Sequence, residues 1–127
     1  MATILPKSLP CTIQVTIPNG SNVSDPIVLK HLHPRGMDVL IPDEWTAADI
    51  GFENSPDGTN WYLREDAAGE PILVTGIETS AAKIRQCPAD MWGGGAWIYL
   101  RLVSLDTGDA SAENQGADRV LEVAFYQ

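Results

Sequence analysis

The sequence predicts an all-β fold: an antiparallel β-sandwich or jelly roll of about eight short strands. Three observations predict it. Apolar and polar residues alternate with period two in several short runs. Turn signals built on Gly, Pro, Asn and Asp recur roughly every ten residues along the chain. Helical periodicity is nearly absent.

The elements follow in order. Residues 1–10, with Pro6 and Pro10, read as an extended N-terminal arm, and residues 11–127 as one sandwich domain. The arm lacks the continuous apolar stretch of a secretion signal and is read as mature sequence. From Cys11 to Ile17, Ile13, Val15 and Ile17 alternate with Thr12, Gln14 and Thr16, a half-buried strand. Short apolar runs at 27–29 and 37–41 are separated by the turn Pro34-Arg35-Gly36. Residues 42–49 open with Pro and two acids and suit one helical turn. Residues 50–54 and 61–64 form a hairpin around Ser55-Pro56-Asp57-Gly58, where Pro fixes φ, Asp bonds its own backbone and Gly accepts positive φ. Ile50, Phe52 and Asn54 share one side of its first strand. A further strand is expected over 70–75, and 80–85 is ambiguous between strand and helical turn. In 97–103, Trp97, Tyr99, Arg101 and Val103 alternate with Ile98, Leu100 and Leu102. The last strand, 119–126, sets Leu121, Val123 and Phe125 against Val120, Glu122 and Ala124. The longest irregular segments, 86–96 and 106–118, are rich in Gly, Ala and Asp.

Bulk properties narrow the function. A chain of 127 residues with 44% hydrophobic and 20% charged residues buries one core unaided. Eight basic against 17 acidic residues give a net charge of −9, which repels phosphate backbones and argues against a nucleic-acid partner. No run of about 18 apolar residues is present, so no segment reads as a helix spanning a membrane. Cys11 and Cys87 read as free, buried thiols rather than a disulfide.

Catalytic constellations are weak. His31 and His33 would share a strand face but lack a third ligand nearby, so a solvated edge is expected and no metal site. Asp43 and Glu44 beside Trp45, and Glu65 and Asp66 after Trp61, are the parts of a glycosidase, and also what any acidic, turn-rich surface shows. Asp57, Asn60, Glu65 and Asp66 match no calcium loop. No nucleophile elbow or phosphate loop appears, and Gly93-Gly94-Gly95 reads as a flexible hinge. The chain is therefore not expected to be an enzyme, and no cofactor is assigned.

Tryptophan and arginine carry more. Trp92, on its Gly-rich loop, is expected to be exposed, whereas Trp61 and Trp97 fall in strand patterns and read as core or interface anchors. Arg101 and Arg119 sit in otherwise apolar strands, where an arginine pairs with a carboxylate inside the fold or across a subunit boundary. The internal pair is the favoured expectation.

Four segments together resemble a family of small virion proteins of tailed bacteriophages. They are Thr16-Ile17-Pro18-Asn19-Gly20, the run from Ile41-Pro42 through Trp45-Thr46-Ala47 to Phe52 and Ser55-Pro56-Asp57-Gly58, then Tyr99-Leu100-Arg101-Leu102-Val103-Ser104, and Asn114-Gln115-Gly116-Ala117-Asp118-Arg119. The chain departs from that family at Val103-Ser104-Leu105. The hairpin is also similar to that of discoidin-type sugar- and lipid-binding modules. The resemblance implies a jelly-roll protein, made in the bacterial cytoplasm, that decorates or cements the outer capsid surface. Its partners would be the major capsid protein and copies of itself, as a homotrimer, with neither nucleic acid nor membrane. The contacts would come from Ile4, Leu5, Pro6 and Leu9 of the arm with Trp45, Trp92, Arg101 and Arg119. The alternative is a carbohydrate-binding module on a phage tail or fibre, gripping host glycans with Trp92, Trp45 and Asp57.

Overall fold

The computed structural model describes residues 11–30 and 33–126, so the arm residues Ile4, Leu5, Pro6 and Leu9, and His31, lie outside the described residues. Eight strands are found: β1 Cys11–Ile17, β2 Ile27–Val28, β3 Gly36–Ile41, β4 Asp49–Ser55, β5 Tyr62–Leu63, β6 Lys83–Pro88, β7 Tyr99–Leu105 and β8 Arg119–Tyr126. They form two four-stranded sheets in the orders β1-β8-β3-β6 and β2-β7-β4-β5. Every pairing is antiparallel. All the connections except β4–β5 cross from one sheet to the other, which is the jelly-roll winding.

Period-two patterning explains the layers. On the first sheet, Val15, Ile17, Met37, Val39, Ile41, Leu121, Val123 and Phe125 point inward and are buried. On the second, Ile27, Ile50, Phe52, Leu100 and Leu102 meet them in the same core. The β8 register, Val15↔Leu121 and Ile13↔Val123 on one side and Val39↔Val123 on the other, keeps all apolar side chains in one phase. A slip of one residue would expose the whole set.

Three expected elements differ. Residues 70–75 do not form a strand; only the bridges Glu65↔Pro71 and Ile50↔Val74 form there. Pro71 has no N–H to donate, and Gly69 and Gly76 bracket the run at positive φ. Residues 42–49 are not helical, because Glu44 sits at φ 59 and donates its N–H to the Thr79 carbonyl. The ambiguous stretch near residue 80 resolves as β6, an edge strand. The one helix among the described residues is the single turn α1, Ala89–Trp92, inside a segment read as irregular.

β6 was hard to read because Lys83 and Arg85 occupy inward positions opposite Ile41 and Val39. Their heads reach past the sheet edge to the carbonyls of Glu78 and Thr75. Inward-pointing charges on an edge strand also discourage pairing with another chain.

The two cysteines close one row of the first sheet, Cys11–Phe125–Met37–Cys87. Three interstrand steps hold them about 14 Å apart, beyond the roughly 7 Å limit of a disulfide. Cys87 is wholly buried, and burial pushes its thiol up to about 11. A maleimide pulse, read by intact mass, is expected to label Cys11 alone in the native protein and Cys87 only after unfolding.

Candidate functional site

The aromatic residues exchange the roles expected of them. Trp92 is fully buried, its Nε1 donating to the Cys87 carbonyl at 2.9 Å and its ring meeting Phe125 edge-on at 5.6 Å. The glycines after it form a left-handed turn at φ 101, 58 and 88, closed by the Ala96 N–H on the Gly93 carbonyl, rather than an open loop presenting the ring. Trp45 is 1% exposed and donates to the Ala48 carbonyl. Neither ring reaches a glycan or a partner, because both complete the core. Trp97 instead is 45% exposed and Tyr62 63% exposed. A signal for this stood in the sequence: Trp97 shares its alternation phase with Arg101, and the set containing a cation is the one turned away from the core.

Tyr62 and Trp97 flank a cleft of about 260 Å³ at the β5 edge of the second sheet, completed by Asn54, Pro56, Leu63, Arg64 and Glu65. Its polar wall is fixed from beneath. Asn54 is 5% exposed, and its Nδ2 donates to the carbonyls of Trp92 and Tyr99, both at 3.2 Å. Its Oδ1 accepts from Arg64 Nη1 at 3.1 Å, and Arg64 Nη2 donates to the Asp90 carbonyl. A side chain at Gly93 would crowd this pair, since a Cβ there would lie 3.2 Å from both Arg64 Nη1 and Asn54 Oδ1. Arg64 Nε is buried and has no acceptor, and it is the one side-chain polar atom in that condition among the described residues.

Asp57 does not join this cleft as a ligand. Its Oδ1 accepts from Thr59 N, Asn60 N and Ser55 Oγ, and its Oδ2 from Asn60 Nδ2. Three of these bonds converge on Oδ1 and all four come from its own turn, so the carboxylate serves to close the turn. The Asn60 and Thr59 amides hold the carboxyl well below the usual range. Gly58, at φ 78 against the Tyr99 ring, completes the turn as its sequence predicts.

Arg101 makes the internal pair. Its Nε and Nη2 both lie 2.7 Å from Glu53 Oε1, and its guanidinium stacks 4.4 Å above the Trp61 ring. Arg119 finds no carboxylate; it donates to Gln115 Oε1 and Thr46 Oγ1. The internal pairing expected of the two arginines therefore holds for Arg101, whereas Arg119 is held by neutral acceptors with no carboxylate beside it among the described residues.

The outer faces of the two sheets differ. On the second, Leu63 and Leu105 lie over Gly51, Val103 is fully buried and Arg101 covers Glu53, so the centre of the face is packed by its own side chains, while Val28 on the edge strand β2 is 55% exposed. On the first, none of Thr12, Gln14, Thr16, Asp38, Leu40, Ile84, Gln86, Val120, Glu122 and Ala124 is buried. Ile84 is 64% and Val120 47% exposed. A shallow depression of about 190 Å³ opens on this face, lined by Thr12, Asp38, Leu40, Ile84, Glu122 and Ala124.

Comparison of the chain with protein-family models, curated proteins and solved structures returns no match. No cluster of three or more metal-ligating side chains occurs among the described residues.

Proposed function

We propose that this chain is a non-catalytic structural protein of a tailed-bacteriophage virion, adhering to the capsid surface through the outer face of its first sheet. The observation that carries this reading is the contrast between the two outer faces: one packed at its centre by its own side chains, the other bare, with Ile84 and Val120 in water and Leu40 half-buried beside them. A jelly roll hosts capsid domains among other functions, so the fold is compatible and does not decide. The sequence segments that resemble phage virion proteins are what supports the setting.

The partner is a protein surface offering an apolar side chain to the depression on this face and basic groups to Asp38 and Glu122. Area limits the face acting alone. Four strands about 4.8 Å apart and about six residues long present roughly 400 Å² in projection. A specific interface buries about 800 Å² per partner. The arm that the sequence predicts over residues 1–10, which precede Cys11, is proposed to supply the remainder. Repetition over a lattice makes a modest single-site affinity sufficient.

Quantitative mass spectrometry of purified particles is the test. Hundreds of copies per particle are expected, with most of the occupancy lost on Ile84→Asp at an unchanged thermal midpoint. Absence from particles, or a handful of copies unaffected by Ile84→Asp, would overturn the reading. Light scattering of the isolated chain reads the trimer separately; a monomer that still coats heads removes the trimer and leaves the adhesion.

A further inference from the structure

We infer that the cleft between Tyr62 and Trp97 is a binding site for a single neutral pyranose ring. The site lies on the second sheet and is independent of the adhesive face on the first.

The chemistry of the lining selects the ligand. Sugars combine an apolar C–H face with a rim of hydroxyls, so their sites pair flat aromatic planes with polar groups able both to donate and to accept. Tyr62 and Trp97 are two such planes, both substantially exposed beside the same cleft. Rings left this open at the mouth of a concave site are unusual without a ligand or partner to cover them. Glu65 supplies acceptors for hydroxyl donors. Arg64 supplies donors: a guanidinium has five N–H groups, and the structure uses one Nη1 and one Nη2 hydrogen on Asn54 and Asp90.

Rigidity points the same way. Arg64 is clamped by Asn54 and by the α1 carbonyl of Asp90, and Asn54 is locked by two further carbonyls. A site organised before binding orders little on contact and so loses less affinity to entropy. The orphaned Nε–H belongs to this same clamped side chain, the kind of exception that marks a functional position.

Size and charge narrow the ligand further. A volume of about 260 Å³ falls below the roughly 300–1,000 Å³ of sites for drug-sized molecules and suits one ring. Arg64 and Glu65 balance within the lining, so the chain's net charge of −9 opposes acidic sugars and favours neutral ones. The same charge argues against nucleobases stacking on these rings, since their phosphates would be repelled.

The full-length chain is titrated with the methyl glycosides of glucose, galactose and mannose, with glucuronic acid, and with a proline-rich peptide, following the backbone amides of Leu63, Arg64 and Glu65 by NMR. One of the neutral glycosides is expected to bind saturably in about the millimolar range, as one ring can. Trp97→Ala and Tyr62→Ala are each expected to weaken it by about tenfold while the chain stays folded at the temperature of the titration, both rings lying outside the buried core. Glu65→Gln should weaken it less. No saturable response to any neutral glycoside would overturn the inference, as would binding that survives both aromatic replacements or tighter binding of glucuronic acid or the peptide. Occupancy on virus particles should be untouched by Trp97→Ala, so failure here and failure of the adhesive reading are separable.

Discussion

Trp92→Ala is expected to cost about 3–5 kcal/mol of folding stability, the range for removing a large buried aromatic side chain. The value should lie toward the top. The ring is wholly buried, and its removal also strips the Cys87 carbonyl of its only indole donor. A buried acceptor left without a partner adds about 1–3 kcal/mol. The T-shaped contact with Phe125 goes as well, and Phe125 lies on β8, the strand shared by β1 and β3. At about 2.1 cal/mol/K of unfolding entropy per residue, a loss of 4 kcal/mol lowers the thermal midpoint by roughly 15 °C. Set against a typical domain stability of about 5–15 kcal/mol, a single substitution brings the fold close to its limit.

Urea titration and calorimetry check this, and Trp92→Phe separates the two contributions. Phe keeps most of the ring and loses the N–H, so it should recover more than half of the deficit. A midpoint shift of only a degree or two for Trp92→Ala would place the ring at the surface and contradict its burial. Trp97→Ala serves as the internal control, because its ring is 45% exposed and should lower the midpoint far less.

The contrast between these two tryptophans shows where the sequence is legible. Backbone periodicity is readable: β1, β3, β4 and β8 follow their alternation, with Leu121, Val123 and Phe125 inward as their phase requires. The Ser55–Asn60 turn is readable too, because Pro, Asp and Gly act through local backbone chemistry. Placement of a side chain carried by an irregular segment is not local. Trp92 enters the core because α1 turns it under Phe125, and that geometry depends on β6 and β8, far away in sequence. Strand β6 was obscured for a related reason, since Lys83 and Arg85 hold inward positions only because edge carbonyls at Glu78 and Thr75 receive them. The cleft at Tyr62 and Trp97 joins two segments more than thirty residues apart, so no motif announces it. The one local hint, the shared phase of Trp97 and Arg101, required weighing a cation above three apolar neighbours.

Gln115→Leu is expected to be the other strongly destabilising change, and it explains what the most recognisable motifs do. Gln115 is 1% exposed and joins loops that are distant in sequence. Its Oε1 accepts from Thr46 N at 3.0 Å and from Arg119 Nε at 3.2 Å, and its Nε2 donates to the Thr46 carbonyl. Its backbone bonds Gly20 and Ser21, while Thr46 Oγ1 accepts from Gly116 N and Arg119 Nη2. The segments around Asn19-Gly20, Trp45-Thr46 and Asn114-Gln115 through Arg119, read separately in the sequence, thus meet at one buried amide. Their chemistry is that of a clamp holding three loops at one end of the sandwich. Leucine matches the amide in volume and satisfies none of its partners. It leaves the Thr46 N–H and Arg119 Nε without acceptors and the Thr46 carbonyl without this donor. At about 1–3 kcal/mol for each buried group left unpaired, and with Thr46 and Arg119 partly open to water, a loss of about 2–4 kcal/mol follows. Gln115→Glu keeps the oxygens facing Thr46 N and Arg119 and loses only the donor, so it should cost less. Hydrogen exchange distinguishes this clamp from the core: Gln115→Leu is expected to deprotect the amides of Gly20, Thr46 and Gly116 before those of β3 and β8, whereas Trp92→Ala should lower protection throughout. Equal deprotection of every strand in Gln115→Leu would mean that the amide supports the whole sandwich rather than its loops.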